Sequence, residues 1–347
     1  MYLARISNTL RPSTRLLPLT SKSHRIGQRP IHSSRHGRCH DSGNGEEEFS
    51  SLSEEQLKQV YAGAYPTDFP REAIRLKTTP QEHSILSDKF NSSESDRGKI
   101  KRLRFNRELS ATSILHRTTP IHERLVEATR RKLNDHFTSK NVELPFEIYS
   151  NLTFYTGFEG DAIRFIPDLA IRSTSRQPFL ALEIGVSEKY DDMVETAKLI
   201  LSKSSNTKYF VIIKILEKPL FRPPLKLSNY LSKPRSDIPI PEAGDPFDAD
   251  PEGPITINGL KWVGKISAFW EIWGRDASGS PAIKGERVWF YGPNAHSHAL
   301  KLDLSELGSG CTEVGVESSV LAQAIRKSRA ELAVSKALQW LKFSATN

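Results

Sequence analysis

From Pro120 onward the chain changes hydrophobic period several times. In PIHERLVEATRRKLNDHF, Ile121, Leu125, Val126, Ala128 and Leu133 share one side at helical spacing, and Pro120 suits a first turn, so an amphipathic helix is predicted. FEIYSNLTFY (146–155), DAIRFIPDLAIR (161–172) and PFLALEIGV (178–186) read as three strands. EKYDDMVETAKLILSKS (188–204) returns to helical spacing through Tyr190, Met193, Val194, Ala197, Ile200 and Leu201. Ser187 is read as its N-cap, and the acids of the first turn suit the positive end of the helix dipole. KYFVIIKIL (208–216) is a nearly continuous apolar run, as in a strand covered on both faces. Helix, three strands, helix, strand predicts a mixed α/β (α+β) domain.

The flanks are less regular. LKWVGKISAFWEIWGRD and ERVWFYG, separated by DASGSP, predict a β-hairpin whose Trp262, Phe269, Trp270, Trp273, Trp289 and Phe290 pack onto the main sheet. A last helix over 317–341 places Leu321, Ile325, Leu332 and Leu338 on one packing face. Near the start, a short helix is capped by Ser51 or Ser53, and residues 77–119 read as polar linker or loosely held surface. Residues 217–256 hold nine of the 21 prolines and, from Asp237 to Glu252, six acids and no base, so a long insertion away from nucleic acid is predicted there. The domain division is then a leader (1–45), a short helix and linker (46–118), and a folded domain (119–345) with the insertion at 217–256.

Charge changes the picture mainly at the N-terminus. Residues 1–40 carry seven Arg, one Lys and no acid, equal to the whole net charge of +8, so residues 41–347 balance. A generally basic DNA-coating protein is disfavoured. The Arg- and Ser-rich, acid-free leader has the composition of a mitochondrial transit peptide, the alternative being a disordered basic tail. RGKIKRLRFNR (97–107) has six basic residues and no acid, and is either a phosphate-contacting arm or a solvated linker. Cys39 and Cys311 are too few for a disulfide framework or a zinc site, and no apolar run approaches the length of a membrane span. His296 and His298 lack a third ligand and read as exposed.

The candidate chemistry lies in the middle strands. By the period-two rule, Leu180, Leu182, Ile184 and Val186 face a core, while Ala181, Glu183, Gly185 and Ser187 face the other way. An acid among small residues describes a pocket floor. In the preceding strand Ile163, Phe165, Leu169 and Ile171 are core, and Asp168 sits opposite with Arg164 and Arg172. If the strands pair, Asp168 and Glu183 converge. Two buried carboxylates repel and lose hydration, so a cation between them is the simplest compensation. Hard oxygen ligands point to Mg²⁺ or Mn²⁺ rather than zinc. The competing reading is a Pro-Asp turn and a mid-strand Glu paired with Arg164 or Arg172.

Pro167-Asp168 and Glu183-Ile184-Gly185, in this element order over about residues 120–216, resemble the PD-(D/E)XK nuclease superfamily, the restriction-endonuclease-like fold. PDLAIR, PFLALEIGVSE and the EIW strand are similar to a group of fungal proteins carrying that fold. The resemblance implies a nuclease hydrolysing phosphodiester bonds in DNA or RNA, with Asp168, Glu183 and the Ile184 carbonyl holding Mg²⁺ or Mn²⁺. Glu123 on the first helix is a candidate further ligand. The lysine normally two residues after the Glu is replaced by Gly185, so an amine would enter from Lys189 or Lys198. The alternative is an inactive nuclease-fold module that binds nucleic acid or a protein partner.

Overall fold

The structure, a computed structural model, describes residues 49–343 apart from 67–68, 70–72, 93–101, 107–108, 116–117, 140–145, 157–162, 174–176, 222–251, 258–259 and 309–312. The basic leader, both cysteines and most of the proline-rich insertion lie outside the described residues.

An N-terminal group of elements comes first: α1 (Glu54–Tyr61), β1 (Ala73–Lys77), α2 (Pro80–Ser92), β2 (Arg102–Asn106) and β3 (Ala111–Leu115). The central stretch follows, with α3 (Pro120–Ser139), β4 (Glu147–Ser150), β5 (Phe154–Thr156), β6 (Ile163–Phe165), β7 (Leu169–Arg172), β8 (Leu180–Gly185), α4 (Tyr190–Lys203) and β9 (Tyr209–Lys218). The chain continues through β10 (Ile255–Ile257), β11 (Leu260–Val263), β12 (Lys265–Arg275), β13 (Pro281–Ile283) and β14 (Val288–Tyr291). It ends with β15 (Ala299–Asp303), β16 (Glu313–Glu317) and α5 (Ser318–Phe343). The predicted α+β class holds.

The main sheet runs β13-β12-β9-β8-β7-β4, with β14 also paired to β12. Its one parallel ladder, β8 with β9, needs a crossover, which α4 supplies. Leu180, Leu182 and Ile184 of β8 and Val211, Ile213 and Ile215 of β9 pack with Ile121, Leu125 and Leu133 of α3 and Leu321, Ile325 and Leu332 of α5. On the other face, Ala181, Phe210 and Ile212 meet Met193, Ala197, Ile200 and Leu201 of α4. The period-two division of β8 is therefore the division between two cores.

Several expectations are corrected. The strand over 161–172 breaks at Pro167-Asp168: β6 pairs with β5, while β7 joins the main sheet between β4 and β8. A proline cannot donate to a central ladder, and the chain changes sheet there. The strand over 146–155 likewise splits, with Asn151 in the left-handed region (φ 56°) between β4 and β5. The predicted hairpin is present in the antiparallel pairing of β12 with β14, but LKWV leaves it as β11 to pair with β10, and β12 also pairs with β9 and β13. Trp262, Phe269, Trp270, Trp273 and Phe290 are buried, as expected for packing residues, and Trp289 lies edge-on to Phe269. In α5, Leu338 is largely exposed, and Ala333 and Ala337 take buried positions.

Residues 77–119 are not a linker. They supply α2, β2 and β3, and β3 lies between β1 and β2 in a small antiparallel sheet. Val60, Ile74, Leu76, Leu86, Phe90 and Ile114 form its core with α1 and α2. Ser53 caps α1 in a reciprocal capping box with Gln56. The cap residue of α4 is Lys189, not Ser187, without a side-chain capping bond; the backbone is extended at Lys189 and turns helical after it. Asp192, one turn further in, does other work. It accepts hydrogen bonds from Arg75 of β1 (3.4 Å), Asn106 of β2 (2.7 Å) and Ser113 of β3 (3.2 Å), so each strand of the small sheet holds α4 through one carboxylate.

Candidate functional site

Asp168 and Glu183 are 0% and 1% exposed; Asp168 bonds the backbone next to Glu183, and its carboxylate meets His122 of α3 while that of Glu183 meets Arg104 of β2. Asp168 follows Pro167 at the break before β7. Its Oδ2 accepts the Ile184 N–H at 2.7 Å, and its Oδ1 lies 2.8 Å from His122 Nε2, so an ionised Asp168 is held from both sides. His122 belongs to α3, whose first turn is fixed by Thr119 Oγ1 accepting the His122 N–H. Glu123, the neighbouring acid named from the sequence, has a side chain 58% exposed and projects away from the core. A step of one residue turns a helix by about 100°, and that step brings His122 rather than Glu123 to Asp168.

Glu183 projects from β8 toward α4, on the face opposite the leucines. Its Oε2 receives Arg104 Nη2 at 2.5 Å, and the same guanidinium nitrogen lies 3.1 Å from Glu188 Oε1. Arg104 comes from β2, within the basic stretch read as an arm or a linker. Arg172, the alternative partner, instead bonds Tyr149 and lies over its ring. The side chain of Arg164 lies outside the described residues.

The amine at the site is Lys214. Lys198 is exposed on α4 and Lys189 is half-buried at its cap. In the parallel register of β8 and β9, Gly185 is opposite Lys214. Lys214 Nζ donates to the carbonyls of Gly185 (3.4 Å), Val186 (2.9 Å) and Glu188 (2.6 Å), bracing the turn that follows Glu183. A side chain at Gly185 would have to displace Met193, because an added Cβ would stand 2.3 Å from Met193 Sδ. Lys214 thus lies one strand over from Gly185, and its sign in the sequence is the solitary charge inside FVIIKIL.

Burial pushes the Lys214 pKa down to about 8; Glu188 pulls it upward and Arg104 adds to the fall. The unfolded lysine titrates near 10.5, so between those values the unfolded chain holds more protons. The contribution of Lys214 is therefore destabilising below about pH 8 and is relieved as pH rises toward 10.5, by roughly 3 kcal/mol at most. Chemical unfolding of wild type and Lys214→Met at about pH 7.5 and about pH 10 should show a steeper rise in the wild type. Equal pH slopes would contradict a buried ammonium.

A fourth buried acid beside Asp168, Glu183 and Asp192 is Glu271 of β12, which the sequence reading did not single out. It accepts from Tyr190 (2.7 Å), Arg287 (2.8 Å) and Trp273 (3.1 Å), and burial together with the Glu271 bond pushes the Tyr190 pKa up to about 12. Its partners hold α4 and β14 against the sheet.

Carboxylate oxygens such as those of Asp168 and Glu183 suit Mg²⁺ or Mn²⁺, and here Asp168 is held by His122 and the Ile184 N–H and Glu183 by Arg104. Among the described residues no three His, Cys, Asp or Glu side chains are grouped to hold a metal, so the remaining donors would be carbonyl oxygen and water. His296 and His298 are exposed, as expected. No helix among the described residues is long and apolar enough to cross a membrane. The chain matches no protein-family model, no curated protein and no solved structure.

Proposed function

We propose that the chain is a nuclease-like protein of the restriction-endonuclease-like fold, hydrolysing phosphodiester bonds in DNA or RNA with Mg²⁺ or Mn²⁺. The observation that carries this reading is Lys214, whose buried amine meets the turn after Glu183 where Gly185 offers no side chain. Asp168 just before β7, Glu183 on β8 and Lys214 on β9 supply an aspartate, a glutamate and an amine from three neighbouring strands. That is the set the resemblance calls for, assembled from different chain positions.

Asp168, Glu183 and the Ile184 carbonyl would hold the cation, which when bound supplies positive charge against the scissile phosphate and acidifies the attacking water. His122 and the Ile184 N–H fix the Asp168 carboxylate, so its orientation does not depend on a free rotamer. Lys214 holds its proton at Nζ against three carbonyls and, near its pKa of about 8, yields a neutral amine able to accept a proton from water. The leader, free of acids over residues 1–40, supports action in mitochondria, which import of a reporter fused to residues 1–45 would test.

The experiment is cleavage of single- and double-stranded DNA and RNA by the purified chain with millimolar Mg²⁺ or Mn²⁺. Asp168→Asn and Glu183→Gln should each slow cutting at least about 100-fold while thermal unfolding shows a folded protein. Cutting that survives both substitutions sinks the reading. A second reading, an inactive module binding nucleic acid or protein, is favoured by Arg104, which already neutralises Glu183 and Glu188. Tight nucleic-acid binding without cutting by any variant would assign that role.

A further inference from the structure

We infer that the small N-terminal sheet holds this site shut, with the Arg104 guanidinium standing at Glu183 and Glu188 in place of a divalent cation. The inference rests on the metal-site reading above and concerns how that site is controlled.

The Arg104 side chain is 12% exposed, and the two carboxylates it bridges are 1% and 8% exposed. Its position is set by the sheet behind it. Arg75, Ser113 and Arg104 form one row across β1, β3 and β2, and Asn106 lies two residues along β2, on the same face as Arg104. Three of these four residues bond Asp192 on α4, and the fourth enters the acidic site. One face therefore carries both the latch and the plug, so the latch on Asp192 keeps the Arg104 backbone beside Glu183 and Glu188.

A guanidinium and a divalent ion compete for the same Glu183 oxygens. Both are cations, so sharing the site would bring like charges within a few ångströms in a buried setting, and occupation by one disfavours the other. Because β3 ends at Leu115 and α3 begins at Pro120, the sheet remains tethered beside the site when it lifts. The state described here is the closed one. Opening consists of Arg104 withdrawing from Glu183 and Glu188, which leaves two carboxylates and the Lys214 ammonium at the turn.

The test is calorimetric titration of Mn²⁺ alone into the full chain, compared with Arg104→Met and with the latch variant Asn106→Ala/Ser113→Ala, which leaves every group at the acidic site in place. Both variants should bind Mn²⁺ more tightly than wild type, Arg104→Met by about tenfold or more and the latch variant by a smaller factor. Adding Glu183→Gln should remove the gain. If Arg104→Met does not fold, the latch variant alone decides. Measurable Mn²⁺ binding of equal affinity in all the folded proteins overturns the plug and leaves the metal-site reading standing. Absence of Mn²⁺ binding from wild type and both variants removes that reading, and the plug with it.

Discussion

Asp192→Ala should destabilise the chain by about 3–5 kcal/mol, read as a fall in the midpoint of urea unfolding. The carboxylate is 6% exposed and accepts from three side chains on three strands. Alanine leaves a largely buried guanidinium, an amide and a hydroxyl aimed at a vacated position, and the desolvated Arg75 charge dominates the cost. Asp192→Asn keeps one acceptor oxygen but loses the charge and turns the other oxygen into an NH2 donor, so it should cost less than alanine, about 1–2 kcal/mol. The comparison separates charge from hydrogen bonding. A loss below about 1 kcal/mol for alanine would mean that the small sheet is held by its apolar contacts alone.

Gly185→Lys, which writes the familiar motif back into the strand, should cost about 3 kcal/mol or more and should not raise activity. An added Cβ would lie 2.3 Å from Met193 Sδ, 2.9 Å from its Cε and 3.0 Å from Glu188 Oε2. Met193 is fully buried against Ala181 and Ile212 and has little freedom to retreat. The rest of the side chain would add an ammonium near Lys214 and Arg104, whose charges already oppose one another. Gly185→Ala isolates the steric part, about 1–3 kcal/mol, and Met193→Ala should recover some of it in the double variant. Thermal unfolding of the three proteins measures this. A Gly185→Ala protein as stable as wild type would show that Met193 swings aside at no cost.

The strands of the main sheet were legible because burial on two faces leaves a period-two trace. Leu180, Leu182 and Ile184 went to one core and Ala181 to the other, as their alternation requires. The region before α3 was not legible. β2 and β3 are five residues each, RLRFN carries two arginines, and what holds them to the rest is Asp192, 79 and 86 residues away in sequence from Ser113 and Asn106. Local pattern holds no record of such pairings. The same holds for Lys214: nothing near Glu183 along the chain points to it, because the amine lies across a parallel ladder, 29 residues from Gly185. His122 was missed by one helical position. Asp168 and Glu183 stand out in the sequence, but the side chains that hold them, His122 and Arg104, arrive from distant elements.

β9 has a further property. Phe210 and Ile212 point to one layer and Val211, Ile213 and Ile215 to the other, so greasy residues line both sides and a shift of one position would barely change how oily each side is. Lys214 breaks that degeneracy. Slipped by one, its ammonium would enter the leucine-rich layer under α3 with no carbonyl to meet it, whereas in the observed alignment it finds three. The residue at the heart of the proposed chemistry therefore also serves as an indexing pin, penalising misthreaded versions of the central strand.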